Sequence, residues 1–109
     1  MFTWKSAAGG GILGACHALE VAFVFGNYGN SFGGSGSEAD KLSREMQDAW
    51  VSSARTGNPS CESLGEWPKY SEGRSSMVFD KRSRVEKAVY EEERRIWDTL
   101  HQLPFSNMP

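Results

Sequence analysis

A mixed α/β chain dominated by helix is what this sequence predicts, and three observations carry that expectation. Between residues 37 and 56 apolar side chains recur at spacings of three and four, at Ala39, Leu42, Met46, Ala49, Trp50 and Ala54, which gathers them on one face of a helix. A second helical pattern covers 89–101, with Tyr90, Trp97 and Leu100 on one side and Ile96 beside them. Strand signals are short. Met77-Val78-Phe79 can turn through Asp80 to Ser83 and return toward Val85, a hairpin over 76–86.

The remaining segments follow in order. Residues 1–5 (MFTWK) fit the tail end of a strand entering a loop. Residues 6–36 are expected to be largely loop. Ser6–Gly14 is a Gly-rich connection, and Asn27–Gly36 carries four glycines among Asn and Ser. Between them His17–Phe25 is apolar, with a length and composition that suit a strand or a short helix equally. Ser37 can cap the long helix, with Asp40 at the capping-box position. Glu38 and Asp40 suit the positive helix start, and Arg55 suits the negative end. Thr56-Gly57-Asn58-Pro59 stops it, because Gly57 can take the left-handed cap conformation and Pro59 cannot continue a helix. Residues 57–75 read as irregular around Trp67-Pro68-Lys69-Tyr70. Glu91-Glu92-Glu93-Arg94-Arg95 reads as the wet face of the last helix, and 102–109 as a tail.

Composition excludes several function classes. The chain has 109 residues, one domain's worth, yet Leu, Ile, Val and Phe together number only 20. A net charge of −2 and four Trp argue against disorder and for packing against something. Twelve basic residues interleave with 14 acidic ones, so no basic stripe exists to neutralise nucleic-acid phosphates. Cys16 and Cys61 make no disulfide framework, and with His17 and His101 they lack the ligand spacings of a zinc site. No stretch approaches the ~20 apolar residues of a membrane span. The N-terminus lacks the sustained apolar core of a signal peptide.

His17 is the residue that points to chemistry. An imidazole on a loop can take a proton from a nucleophile and return it to a leaving group, provided a carboxylate holds its other nitrogen. Taken alone, a histidine beside an apolar run is more often a packed residue. Its surroundings change that weighting. Gly14, His17, Glu20, Phe23, Val24, Phe25 and Gly26 match, in register, a run of the form G-x-x-H-x-x-E-(apolar)-x-F-V-F-G. This segment resembles the catalytic-histidine region of type-B carboxylesterases, the carboxylesterase and cholinesterase branch of the α/β-hydrolases. DAWVSSARTGNP resembles the family's Trp-centred helix and its stop, and GEWPKY its Trp-Pro-x-Tyr segment. MVFD and YEEERRIWD resemble its last hairpin and terminal helix. One departure is Val21-Ala22, where close relatives often have Leu-Pro.

The resemblance implies an α/β-hydrolase fold of which residues 1–109 are the C-terminal portion. It implies a catalytic role for His17 as the general acid/base of a serine esterase, with no cofactor and a small-molecule ester as substrate. In such enzymes the chain order is serine, acid, histidine, which places the other triad members upstream. Glu20 is expected to brace the histidine loop. A chain of this kind taken alone is expected to lack turnover and to self-associate. The other reading is a truncated or protein-interaction module of the same fold that catalyses nothing. Gly29-Asn30-Ser31-Phe32-Gly33 also satisfies the G-x-S-x-G elbow pattern, with His101 downstream. An elbow needs a strand directly before it and a helix directly after, which the flanking loop residues do not offer. Gly9–Gly11 lack the preceding His of an HGGG oxyanion loop and read as linker.

Overall fold

The computed structural model describes residues 1–29 and 31–100; the expectations for His101 and for the 102–109 tail lie outside the described residues. After a 3₁₀ turn at Ala8–Gly11 come helix α1 (Leu19–Val24), helix α2 (Ser37–Thr56), strands β1 (Ser75–Val78) and β2 (Arg84–Lys87), and helix α3 (Glu91–Leu100). The run after His17 resolves as helix. Leu19 and Phe23 lie fully buried while Val21 between them is exposed, a pattern that fits the helical period and not the alternation of a strand, which would put all three on one face.

The core is small and draws on α1, α2, β1 and the N-terminal and hairpin loops. Leu19 and Phe23 of α1, Ala39, Leu42, Met46 and Ala49 of α2, Met77 of β1, and Phe79 and Trp4 from the loops form one cluster. The apolar face of α2 is narrower than the sequence suggested. Trp50 is half exposed and Ala54 is exposed, because α1 covers only the N-terminal and central turns. Trp50 instead leans on Phe79, which also meets Trp67 edge-on at 5.7 Å.

The start of α2 departs from expectation. Gly36 takes the N-cap position, and its carbonyl accepts from the Asp40 amide at 3.0 Å. Ser37 is the first helical residue and caps nothing. Asp40 completes no capping box; its Oδ1 accepts from the Tyr28 hydroxyl at 2.6 Å. The end of α2 closes through Gly57 at φ 75°, whose amide donates to the Ser53 carbonyl at 2.8 Å.

β1 and β2 pair antiparallel from Ser75 opposite Lys87 to Val78 opposite Arg84. The expected N-terminal strand is reduced to a single parallel bridge between Phe2 and Phe79, one residue beyond β1. The Phe79 amide donates to the Met1 carbonyl at 2.8 Å and the Thr3 amide to the Phe79 carbonyl at 2.9 Å. Helix α3 has no buried residue, and no other helix or strand among the described residues packs on it. It is tied to the hairpin's base by Arg74 and Glu91 at 2.6 Å.

Candidate active site

His17 is exposed at the second position of a tight turn, Cys16–Leu19, which the Leu19 amide closes onto the Cys16 carbonyl at 3.3 Å. Ala18, the third residue, sits at φ 64°, ψ 6°, a left-handed conformation that costs a non-glycine residue roughly 1–2 kcal/mol. Its carbonyl accepts from the Val21 amide, so the turn runs straight into α1. The histidine is thus presented on a kinked hinge directly ahead of a buried helix. That arrangement limits the backbone's freedom while leaving the ring in solvent.

What holds the turn lies one layer deeper. Phe23 is the centre of an aromatic cage: Phe2 at 5.5 Å and Trp4 at 5.6 Å are tilted against it, and Tyr28 stacks on it at 4.9 Å. The Ser43 hydroxyl, buried on α2, donates to the Phe23 carbonyl at 2.6 Å and pins the end of α1. The Trp4 indole N–H donates to the Gly33 carbonyl at 2.9 Å, drawing the loop before α2 onto the same cage. Tyr28 then reaches Asp40, and this bond to a carboxylate raises the phenol's pKa above its ordinary value. Sequence reading missed Ser43, although its position was legible. It lies between Leu42 and Met46 on the arc that the three-and-four spacing buries.

Glu20, expected to brace the histidine loop, makes no hydrogen bond or ion pair with another described residue; the aromatic cage and Ser43 do that work. Among the described residues, no carboxylate and no hydroxyl lies in hydrogen-bond contact with His17.

Ser31 is not such a partner. It is exposed in a turn, preceded by coil at 27–29 and separated from α2 by residues 34–36, so the elbow's strand and helix are both missing. Gly33 owes its place to packing. A Cβ there would stand 2.3 Å from the Tyr28 carbonyl oxygen. Ser31 does line an open groove of about 930 Å³ bordered by Thr3, Trp4, Lys5, Glu38 and Asp80, and His17 is not on its wall. Residues 8–11 form a 3₁₀ turn whose loop is closed at its base by the Ser6 amide on the Gly14 carbonyl at 2.9 Å.

The fold and the histidine turn together define an α/β-hydrolase segment. Residues 3–97 match the model of the carboxylesterase family. Carboxylesterase 4A of Bos taurus is 37% identical over 89 residues, which covers 82% of this chain and 16% of that protein. Para-nitrobenzyl esterase of Bacillus subtilis is 37% identical over 86 residues, covering 74% and 17%. Among solved structures, PNB esterase superposes with a TM-score of 0.71 at 36% identity over 86% of this chain and 19% of its own. The carboxylesterase of Geobacillus stearothermophilus gives 0.72 at 36% identity, over 88% and 20%. The chain belongs to the carboxylesterase family, and it spans about one sixth of the length of the curated relatives it matches.

Proposed function

We propose that this chain contributes the general acid/base histidine, His17, to the hydrolysis of carboxylic esters by a serine-nucleophile mechanism. The observation that carries the reading is the placement of His17. It is an exposed imidazole on a backbone turn anchored by buried Leu19 and Phe23, in the segment of the chain that matches the carboxylesterase family. The relatives' printed names (carboxylesterase, para-nitrobenzyl esterase) support the substrate class.

In this mechanism one nitrogen of the His17 ring accepts the serine proton as the hydroxyl attacks the ester carbonyl. The resulting imidazolium then gives that proton to the departing alkoxide, so the alcohol leaves neutral. A water attacks the acyl-serine through the same ring. The serine and the carboxylate that orients the ring are supplied by the remainder of a longer carboxylesterase domain. The chain by itself therefore hydrolyses no ester by a saturable route, and it self-associates in solution.

The test is hydrolysis of p-nitrophenyl acetate by the 109-residue chain. The expected rate is linear in substrate, no greater than that of free imidazole at equal concentration, and reduced in His17→Ala. Saturable turnover that disappears in Ser31→Ala would move the chemistry to the G-x-S-x-G loop and overturn the assignment. Within a full-length enzyme carrying this segment, His17→Ala is expected to lower kcat by roughly 10⁴-fold or more. Near-normal kcat would remove His17 from the mechanism.

A further inference from the structure

Helix α1 is a short rod, six residues and so about 9 Å long, with His17 just ahead of one end and a polar tie at the other. The hydrogen bonds at its start, from the Leu19 amide to Cys16 and from the Val21 amide to Ala18, join near neighbours. They close the turn on itself and do not fix where it stands in the molecule. The same holds at its end, where the Phe25 and Asn27 amides return to Val21 and Ala22. The Phe2, Trp4 and Tyr28 rings hold Phe23 by apolar contact, which is non-directional and tolerates sliding. Ser43 is different. Its hydroxyl, on a residue only 3% exposed, donates from α2 to the Phe23 carbonyl at 2.6 Å. Among the described residues this is the one hydrogen bond that joins α1 to a distant segment. Such a bond fixes direction as well as distance. One turn further along α2, Gln47 lies close against Gly26, where a Cβ would stand 2.7 Å from its Nε2. The 20-residue α2 is thus the frame that meets the end of α1 at two successive turns.

We propose that Ser43 is a positioning residue for His17: by holding the Phe23 carbonyl it sets the aim of the imidazole, and with it the delivery of a proton to the departing alkoxide. The inference rests on the general acid/base role proposed above for His17 and extends it to a residue on another helix. Removing the hydroxyl leaves the Phe23 carbonyl with the Gly26 amide at 3.3 Å, so no buried acceptor is orphaned. What is lost is the lateral constraint on α1. A small displacement of an acid/base group lowers a rate by up to about a hundredfold. The loss falls unevenly across esters. p-Nitrophenolate departs without taking a proton, whereas an alkoxide has to be protonated as it leaves. An ill-aimed ring therefore harms an alkyl ester more than a p-nitrophenyl ester, a difference that mere loss of folded enzyme does not make.

In the 109-residue chain, Ser43→Ala should speed hydrogen exchange of the Leu19 and Val21 amides about fivefold relative to the Gly57 amide, which closes the far end of α2. In a full-length carboxylesterase carrying this segment, the same substitution should lower kcat/KM about tenfold for p-nitrophenyl acetate and about a hundredfold for ethyl acetate. Ser43→Cys keeps the side chain's shape and a weak donor, and should recover part of both losses. It also carries the comparison should Ser43→Ala not fold, which far-ultraviolet circular dichroism reads. Unchanged exchange at Leu19 and Val21, or equal losses for the two esters while His17→Ala is inactive, overturns the positioning role and leaves His17 as the acid/base. Near-normal turnover in His17→Ala overturns the acid/base role itself, and the role of Ser43 with it.

Discussion

Ala18 shows how much a single residue contributes to the histidine turn. It carries a left-handed backbone with a Cβ in place, immediately after His17 and immediately before a helix whose first residue is fully buried. Ala18→Val puts a β-branched side chain at positive φ and should destabilise the chain by more than ~1 kcal/mol, while Ala18→Gly should be neutral or slightly stabilising. Urea unfolding of the pair tests the ordering, and equal midpoints would mean the turn is not held left-handed. Tyr28 offers a second residue-scale reading. Its hydrogen bond to Asp40 favours the neutral phenol, so its folded pKa lies above the ordinary 10.0. The stability it contributes is complete below that value and is lost as pH rises through the folded pKa. Tyr28 ring signals followed by NMR should therefore titrate late, and Asp40→Asn should bring the ionisation to lower pH. No change on Asp40→Asn would break the link.

Helices α2 and α3 have similar sequence signals and different fates. Both show amphipathic spacing and acidic first turns. α2 is packed by α1 along its buried arc, and its C-terminal stop was legible because Gly57 and Pro59 act through backbone stereochemistry alone. Gly57→Ala should cost about 1 kcal/mol by calorimetry, since the site has open space around a Cβ and only the positive φ opposes it. The N-cap was misread because Ser37 is a favoured cap residue with an acid three residues on, yet the cap falls one residue earlier at Gly36 and Tyr28 draws the Asp40 carboxylate toward itself. α3 depends on Glu91. Its carboxylate takes Arg94 at 2.9 Å, Arg95 at 3.1 Å and Arg74 at 2.6 Å, while Arg94 also reaches Asp98. The Arg94 hydrogen bond leads in holding Glu91 at about 2, below the ordinary 4.5. A depressed carboxylate gives its stability above the ordinary value and loses it as pH falls toward the folded one. Helicity of α3 should accordingly drop in acid between about pH 4 and 2, and Glu91→Gln should weaken α3 at neutral pH and remove that acid step. An acid step unchanged in Glu91→Gln would assign the loss elsewhere.

At the scale of the molecule, the core is thin and centred on one ring. Phe23 is fully buried, touches three aromatic residues from two segments and lends its carbonyl to Ser43. Phe23→Ala should cost about 3–5 kcal/mol, a large share of what a domain of this size possesses, and should leave the chain largely unfolded in a thermal scan. A cooperative transition near the parent midpoint would show that the cage is not the keystone. Around that core much apolar surface stays open: Phe25 is 75% exposed and Trp97 66%, with Ile96 and Tyr90 close behind. Apolar surface of this kind is what partner surfaces cover when they dock on a protein.

By itself the sequence determined where the two longer helices lie, where α2 ends, which loop carries the histidine and which family the chain resembles. These are set by local spacing, by glycine and proline stereochemistry and by residues close together in the chain, so they can be read without knowing what packs on what. The tertiary structure alone decided the rest. It made the run after His17 a helix, moved the α2 cap to Gly36, turned the N-terminal strand into one bridge at Phe79, and gave the bracing of the histidine turn to Ser43 and the Phe23 cage instead of Glu20. Each of those outcomes depends on a contact between residues well separated along the chain. A short apolar run or a capping serine has several local solutions of nearly equal energy, and long-range packing selects among them.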